Sequence, residues 1–121
     1  MPAVIHRERD NIYRLDVSGV LSKADLDRSQ EFLLADMSQA GLGSVRLLVI
    51  LDDFRGWDPQ SNWSDLTFFV RRGDRIERIA LVGDGRWRDQ ALMFAAADLR
   101  RAPVEFFERA SLDDARKWLS S

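Results

Sequence analysis

A chain of 121 residues with 45% hydrophobic and 31% charged residues has the size and mixture of one globular domain, taken here as 1–121. Its formal net charge of −2 argues against broad nucleic-acid binding. The absence of cysteine excludes a disulfide framework, a thiolate nucleophile and a thiolate metal site.

The opening MPAVIHRERD turns charged by Arg7, without the apolar run of a signal peptide. Apolar runs such as Leu47 to Leu51 are far short of a bilayer span, so the expected location is the cytoplasm. Val4–Arg9 and Ile12–Ser18 read as two strands of a hairpin turning at Asp10-Asn11, with Ile12, Leu15 and Val17 as core positions and Gly19 ending the second strand. Ser22 is placed to cap a helix, with Asp25 three residues on in the acidic position of a capping box. Leu26, Leu33, Met37 and Ala40 fall on one stripe of that helix, and Gly41 or Gly43 stops it. Val45–Leu51 is a nearly continuous apolar run, the pattern of a central strand covered on both faces. Ile79–Val82 repeats that pattern before Gly83-Asp84-Gly85, and Val104–Phe107 is a weaker third run after Pro103. Helices are expected between these runs, over Asn62–Gly73 and Arg86–Arg100, and a last one from Ser111 with Leu112, Ala115 and Leu119 as its stripe and Trp118 alongside. The order β β α β α β α β α predicts a hairpin feeding a mostly parallel sheet through right-handed crossovers.

Three stretches carry a resemblance: Leu51-Asp52-Asp53-Phe54-Arg55-Gly56-Trp57, Trp63-Ser64-Asp65-Leu66-Thr67-Phe68-Phe69, and Arg78-Ile79-Ala80-Leu81-Val82-Gly83-Asp84 with Trp87. With the order of elements they resemble the SpoIIAA-like family, a branch of the STAS fold of anti-sigma factor antagonists. The resemblance implies an α/β, STAS-like fold: a mixed sheet of about five strands with about four helices packed mainly on one face. It also implies an apolar cavity between the middle helices and the sheet for a lipid-like ligand. STAS relatives that switch partners carry a phosphorylatable serine in an Asp-Ser-x-Gly loop. Asp52-Asp53-Phe54-Arg55-Gly56 has none, and the nearest serines are Ser61 and Ser64.

The aromatic middle of the chain is its most informative part. With Trp63 at zero on a helical wheel, Leu66, Thr67 and Val70 lie within about 60°. Phe69 flanks that stripe, and Phe68 points away from it. Phe54 and Trp57 add apolar surface just before, and Trp87 and Phe94 share a face of the next helix, with Met93 off it. This surplus points to an apolar pocket, or to a surface that meets a membrane or partner, with Phe68, Arg71 and Arg72 as the contact residues. Plain core packing with a solvated arginine rim accounts for the same pattern. Between Arg71 and Arg101 eight arginines stand against five acids, but they are dispersed and match no nucleic-acid motif.

Asp52, Asp53 and Asp84 stand at expected strand ends, where three carboxylates could hold Mg²⁺ or simply cap loops. Loop capping is the expectation, so no metal and no cofactor are assigned. His6 is the single histidine, on an outer strand, and no nucleophile–base pair emerges. The expected function is therefore a non-enzymatic module binding an apolar, lipid-like molecule through Phe54, Trp57, Trp63, Leu66, Phe69, Trp87, Met93 and Phe94. Peripheral membrane contact and a homodimer through an edge strand or aromatic face are compatible with it. The alternative is a regulatory domain that docks a protein partner.

Overall fold

The computed structural model describes residues 3–58, 60, 76–94 and 103–121, with the side chains of 93 and 94 outside that description. The expected helix over Asn62–Gly73, with all its proposed contact residues, lies outside the described residues, as does the end of the expected Arg86–Arg100 helix.

Strands β1 (Ala3–Arg9) and β2 (Ile12–Leu21) form the expected antiparallel hairpin, with Ile5 opposite Leu15. Asp10 turns it at a φ of 46°, a left-handed conformation that aspartate tolerates better than most residues. Strands β3 (Val45–Trp57), β4 (Ile76–Gly83) and β5 (Val104–Glu108) then add in parallel, so the five-stranded sheet runs β1-β2-β3-β4-β5. The sheet steps in one direction throughout. Right-handed crossovers that always step the same way deposit their helices on one face. Accordingly α1 (Lys23–Ala40) and α2 (Arg88–Phe94) share a core cluster through Leu33, Met37 and Ala91. Helix α3 (Leu112–Ser120) follows the last strand, is no crossover, and covers the other face through Ala115 and Leu119.

Several boundaries differ from the sequence reading. Strand β2 runs through Gly19, which adopts a φ of 61° at a register shift instead of ending the strand. Strand β3 runs on to Trp57, and β4 begins at Ile76. Ile12 is buried, but with Leu48, Ile50, Ala80 and Val82 beneath α3; the residue facing the other cluster is Tyr13, fully buried beside Leu15 and Val17. A 3-10 turn at Gly85–Trp87 precedes α2, and another at Arg109–Ser111 precedes α3, so Ser111 makes no capping hydrogen bond.

The α1 caps form as read. Ser22 Oγ accepts from the Asp25 amide at 3.2 Å, and Gly41 at φ 70° closes the helix while the Leu42 amide donates to the Met37 carbonyl at 2.9 Å. Ala40, expected on the buried stripe, is exposed at the last turn. The C-terminal carbonyls of α3 are met by two sheet arginines: Arg78 Nη1 donates to Trp118 O at 2.6 Å and Arg46 Nη1 to Ser121 O at 3.0 Å.

Candidate functional site: an apolar cavity over the sheet

A cavity of about 100 Å³ lies on the α1–α2 face, over the centre of the sheet. Its floor is Leu15, Val17 and Leu21 of β2, Leu47, Val49 and Leu51 of β3, and Ile79 and Leu81 of β4. Leu26, Ser29, Gln30 and Leu33 of α1 wall one side, and Ala91 of α2 reaches it from the other.

The far end is closed by Phe54 and Trp57, and their placement follows from two irregularities in β3. In a regular strand, residues three apart face opposite sides. Leu51, Phe54 and Trp57 are spaced by three, yet all line the cavity. Between Val17/Gly19 and Leu51/Phe54 the longer strand carries one extra residue, and between Gly19/Val20 and Phe54/Gly56 it carries another. Each bulge reverses the alternation once. Asp53 at φ 55° and Gly56 at φ 121° supply the unusual backbone, and the second value suits glycine alone.

Phe54 is 4% exposed and meets both tryptophans edge-on, with ring centroids 4.8 Å from Trp57 and 4.9 Å from Trp87. Trp57 and Trp87 close the triangle at 5.9 Å, in the edge-to-face arrangement that aromatic quadrupoles favour. Arg86 lies 5.1 Å over the Trp87 ring, a cation–π contact at the outer edge of the cluster.

Of the residues expected to bind ligand, Phe54 and Trp57 line the cavity, and Trp87 buttresses both without lining it. Met93 and Phe94 belong to α2, with their side chains undescribed. Trp63, Leu66, Phe68, Phe69, Arg71 and Arg72 lie outside the described residues. The contribution of α1 was missed. Its signal was present: Ser29 and Gln30 occupy the i+3 and i+4 positions after Leu26, where an apolar stripe should continue to Leu33. Both are buried.

The aspartates do not converge. Asp52 pairs with Arg109 at 2.9 Å on the exposed surface, Asp53 is exposed in its bulge, and Asp84 Oδ1 accepts from the Arg86 amide at 3.1 Å. Among the described residues no group of three or more His, Cys, Asp or Glu is placed to hold a metal ion. His6 is exposed on the edge strand β1. No described helix is long and apolar enough to cross a membrane.

One titratable group beneath α1 is strongly perturbed. The Tyr13 hydroxyl donates to Asp36 Oδ2, and burial, reinforced by that hydrogen bond and by the carboxylate charge, pushes it up to about 12. At the start of α1, the Ser22 hydroxyl donates to Asp25 Oδ2 at 2.7 Å and, with help from Arg28, holds that carboxyl below its ordinary value.

The sequence profile of the SpoIIAA-like family matches residues 12–120. The chain belongs to the SpoIIAA-like family. Four solved chains match this SpoIIAA-like protein. Among them is an uncharacterized protein with a SpoIIAA-like fold from Shewanella loihica PV-4, with a TM-score of 0.71 and 22% identity over 97% of this chain and 91% of that one. At that identity the likeness carries the fold. No curated protein matches the sequence.

Proposed function

We propose that this SpoIIAA-like protein is a non-enzymatic binding module that takes part of an apolar, lipid-like molecule between α1, α2 and the sheet. The carrying observation is the cavity of about 100 Å³ with its almost wholly aliphatic and aromatic lining. Its size narrows the ligand: an engineered apolar cavity of ~150 Å³ takes one benzene. A cavity of about 100 Å³ therefore encloses a short, branched or terminal hydrocarbon segment, and the remainder of a longer molecule lies outside it. Apart from Ser29 and Gln30, the described lining is aliphatic and aromatic, a surface suited to holding hydrocarbon.

Native mass spectrometry of the purified protein, followed by organic extraction, tests this reading. A non-covalent apolar adduct, or a rise in thermal midpoint on adding decan-1-ol, is expected. A clean mass together with an unchanged midpoint would overturn the reading. The competing proposal, a regulatory domain that docks a protein partner, draws on the SpoIIAA-like fold itself. It predicts a stable protein complex that forms equally well when the cavity is filled by Ala91→Leu.

A further inference from the structure

Gln30 is 9% exposed, lines the cavity, and its side-chain amide makes no hydrogen bond to any described residue. Its neighbour Ser29 is differently placed: the Ser29 hydroxyl donates to the Asp25 carbonyl at 3.1 Å within α1. A primary amide carries two donors and an acceptor, a hydrogen-bonding capacity that leucine at the same position would not offer. The other described lining residues are aliphatic or aromatic apart from Ser29, whose hydroxyl is already engaged, so Gln30 brings the one side-chain amide to the described lining.

We infer that Gln30 selects the ligand, by hydrogen-bonding an uncharged oxygen-bearing group set beside the hydrocarbon segment that fills the cavity. The inference rests on the binding reading above and adds the chemical class: a neutral amphiphile carrying a hydroxyl or carbonyl. An amide suits such a group because it can donate to the oxygen and accept a proton from it. A carboxylate brought to the same place would lose its hydration against a neutral amide, which repays little of that loss.

The test is a titration of Trp57 and Trp87 fluorescence with three probes of equal chain length: decan-1-ol, 1-chlorodecane and decanoate at pH 8. The wild-type protein is expected to bind decan-1-ol about fivefold more tightly than 1-chlorodecane, the ratio one neutral hydrogen bond supplies, with decanoate weakest. Gln30→Leu should bind the alcohol and the chloride within about twofold of each other while keeping its affinity for the chloride. Equal binding of alcohol and chloride by the wild type, an unchanged ratio in Gln30→Leu, or tightest binding of decanoate would overturn the role of Gln30 while leaving the cavity reading intact. Failure of all three probes to bind the wild type would sink the cavity reading and this inference together.

Discussion

Phe54→Ala distinguishes a packed aromatic corner from a loose one. The ring is 4% exposed and touches Trp57 and Trp87 edge-on at 4.8 and 4.9 Å, so its removal takes away a buried side chain and two favourable ring pairs at once. Buried Phe→Ala changes cost about 3–5 kcal/mol, a range that already includes the void left behind. At ~2.1 cal/mol/K per residue, a chain of 121 residues has an unfolding entropy of roughly 0.25 kcal/mol/K, so a loss of about 4 kcal/mol lowers the midpoint by about 16 °C. The void would also open onto the existing cavity, and it has the shape of the ring that left. Benzene at ten times its dissociation constant should therefore return about 1.4 kcal/mol, or roughly 6 °C, to the variant and little to the wild type. Circular dichroism melts at neutral pH with and without benzene read both numbers. A fall of less than about 4 °C, or equal benzene effects on both proteins, would refute the argument that Phe54 closes a tightly packed cavity wall.

Three further expectations follow from particular contacts. Tyr13 has a folded-state value of about 12 against 10.0 for the free side chain, so the folded form holds the proton more tightly. That contribution is complete below pH 10 and drains away as the pH rises towards 12, removing about 2–3 kcal/mol in all. Denaturant midpoints between pH 9 and 12 should fall more steeply for the wild type than for Tyr13→Phe, which starts lower at neutral pH for want of the Asp36 hydrogen bond. A side-chain carbon added at Gly83 would lie 2.9 Å from Leu51 Cβ, so Gly83→Ala should cost about 1–3 kcal/mol and, by pressing Leu51 into the cavity, weaken decan-1-ol binding; urea melts and fluorescence titration check the two effects. Asp53 sits at φ 55°, so Asp53→Val should cost about 1–2 kcal/mol by urea melts while Asp53→Gly stays within about 0.5 kcal/mol of wild type.

The regular parts of this fold were legible because they obey one period each. The Leu48–Ile50 and Leu47–Val49 alternation, buried on both faces, announced a central strand, and Ser22 with Asp25 announced a helix start that the structure forms. What failed were the places where the period breaks. Gly19 reads as a stop, and Asp52-Asp53 reads as a loop, because glycine and paired aspartates normally end strands. Here they are bulges, and a bulge is decided by pairing with a neighbouring strand, which local sequence does not contain. Ile12 is buried as expected, but in the cluster opposite Leu15 and Val17, and Tyr13 went unmarked, for a related reason: a hairpin strand buried on both faces offers no alternation to say which residue faces which helix. Phe54 and Trp57 were identified as cavity residues from composition and resemblance, whereas Gln30 escaped notice because a polar residue within a helix stripe reads as a flaw in the pattern.

The strand order bears on how the protein is made. Every paired neighbour in this sheet is also the next strand in the chain, so no strand has to be inserted between two that have already joined. A ribosome releasing the chain from its N-terminus would deliver each new strand to the edge formed by the strand before it, with the β1–β2 hairpin available as the first template. Each intermediate would leave its growing edge exposed, beside the outer edge of β1, until the following strand arrived. Assembly by successive addition shortens the stretch of chain that each closure must span, which lowers the entropic barrier that usually slows parallel sheets.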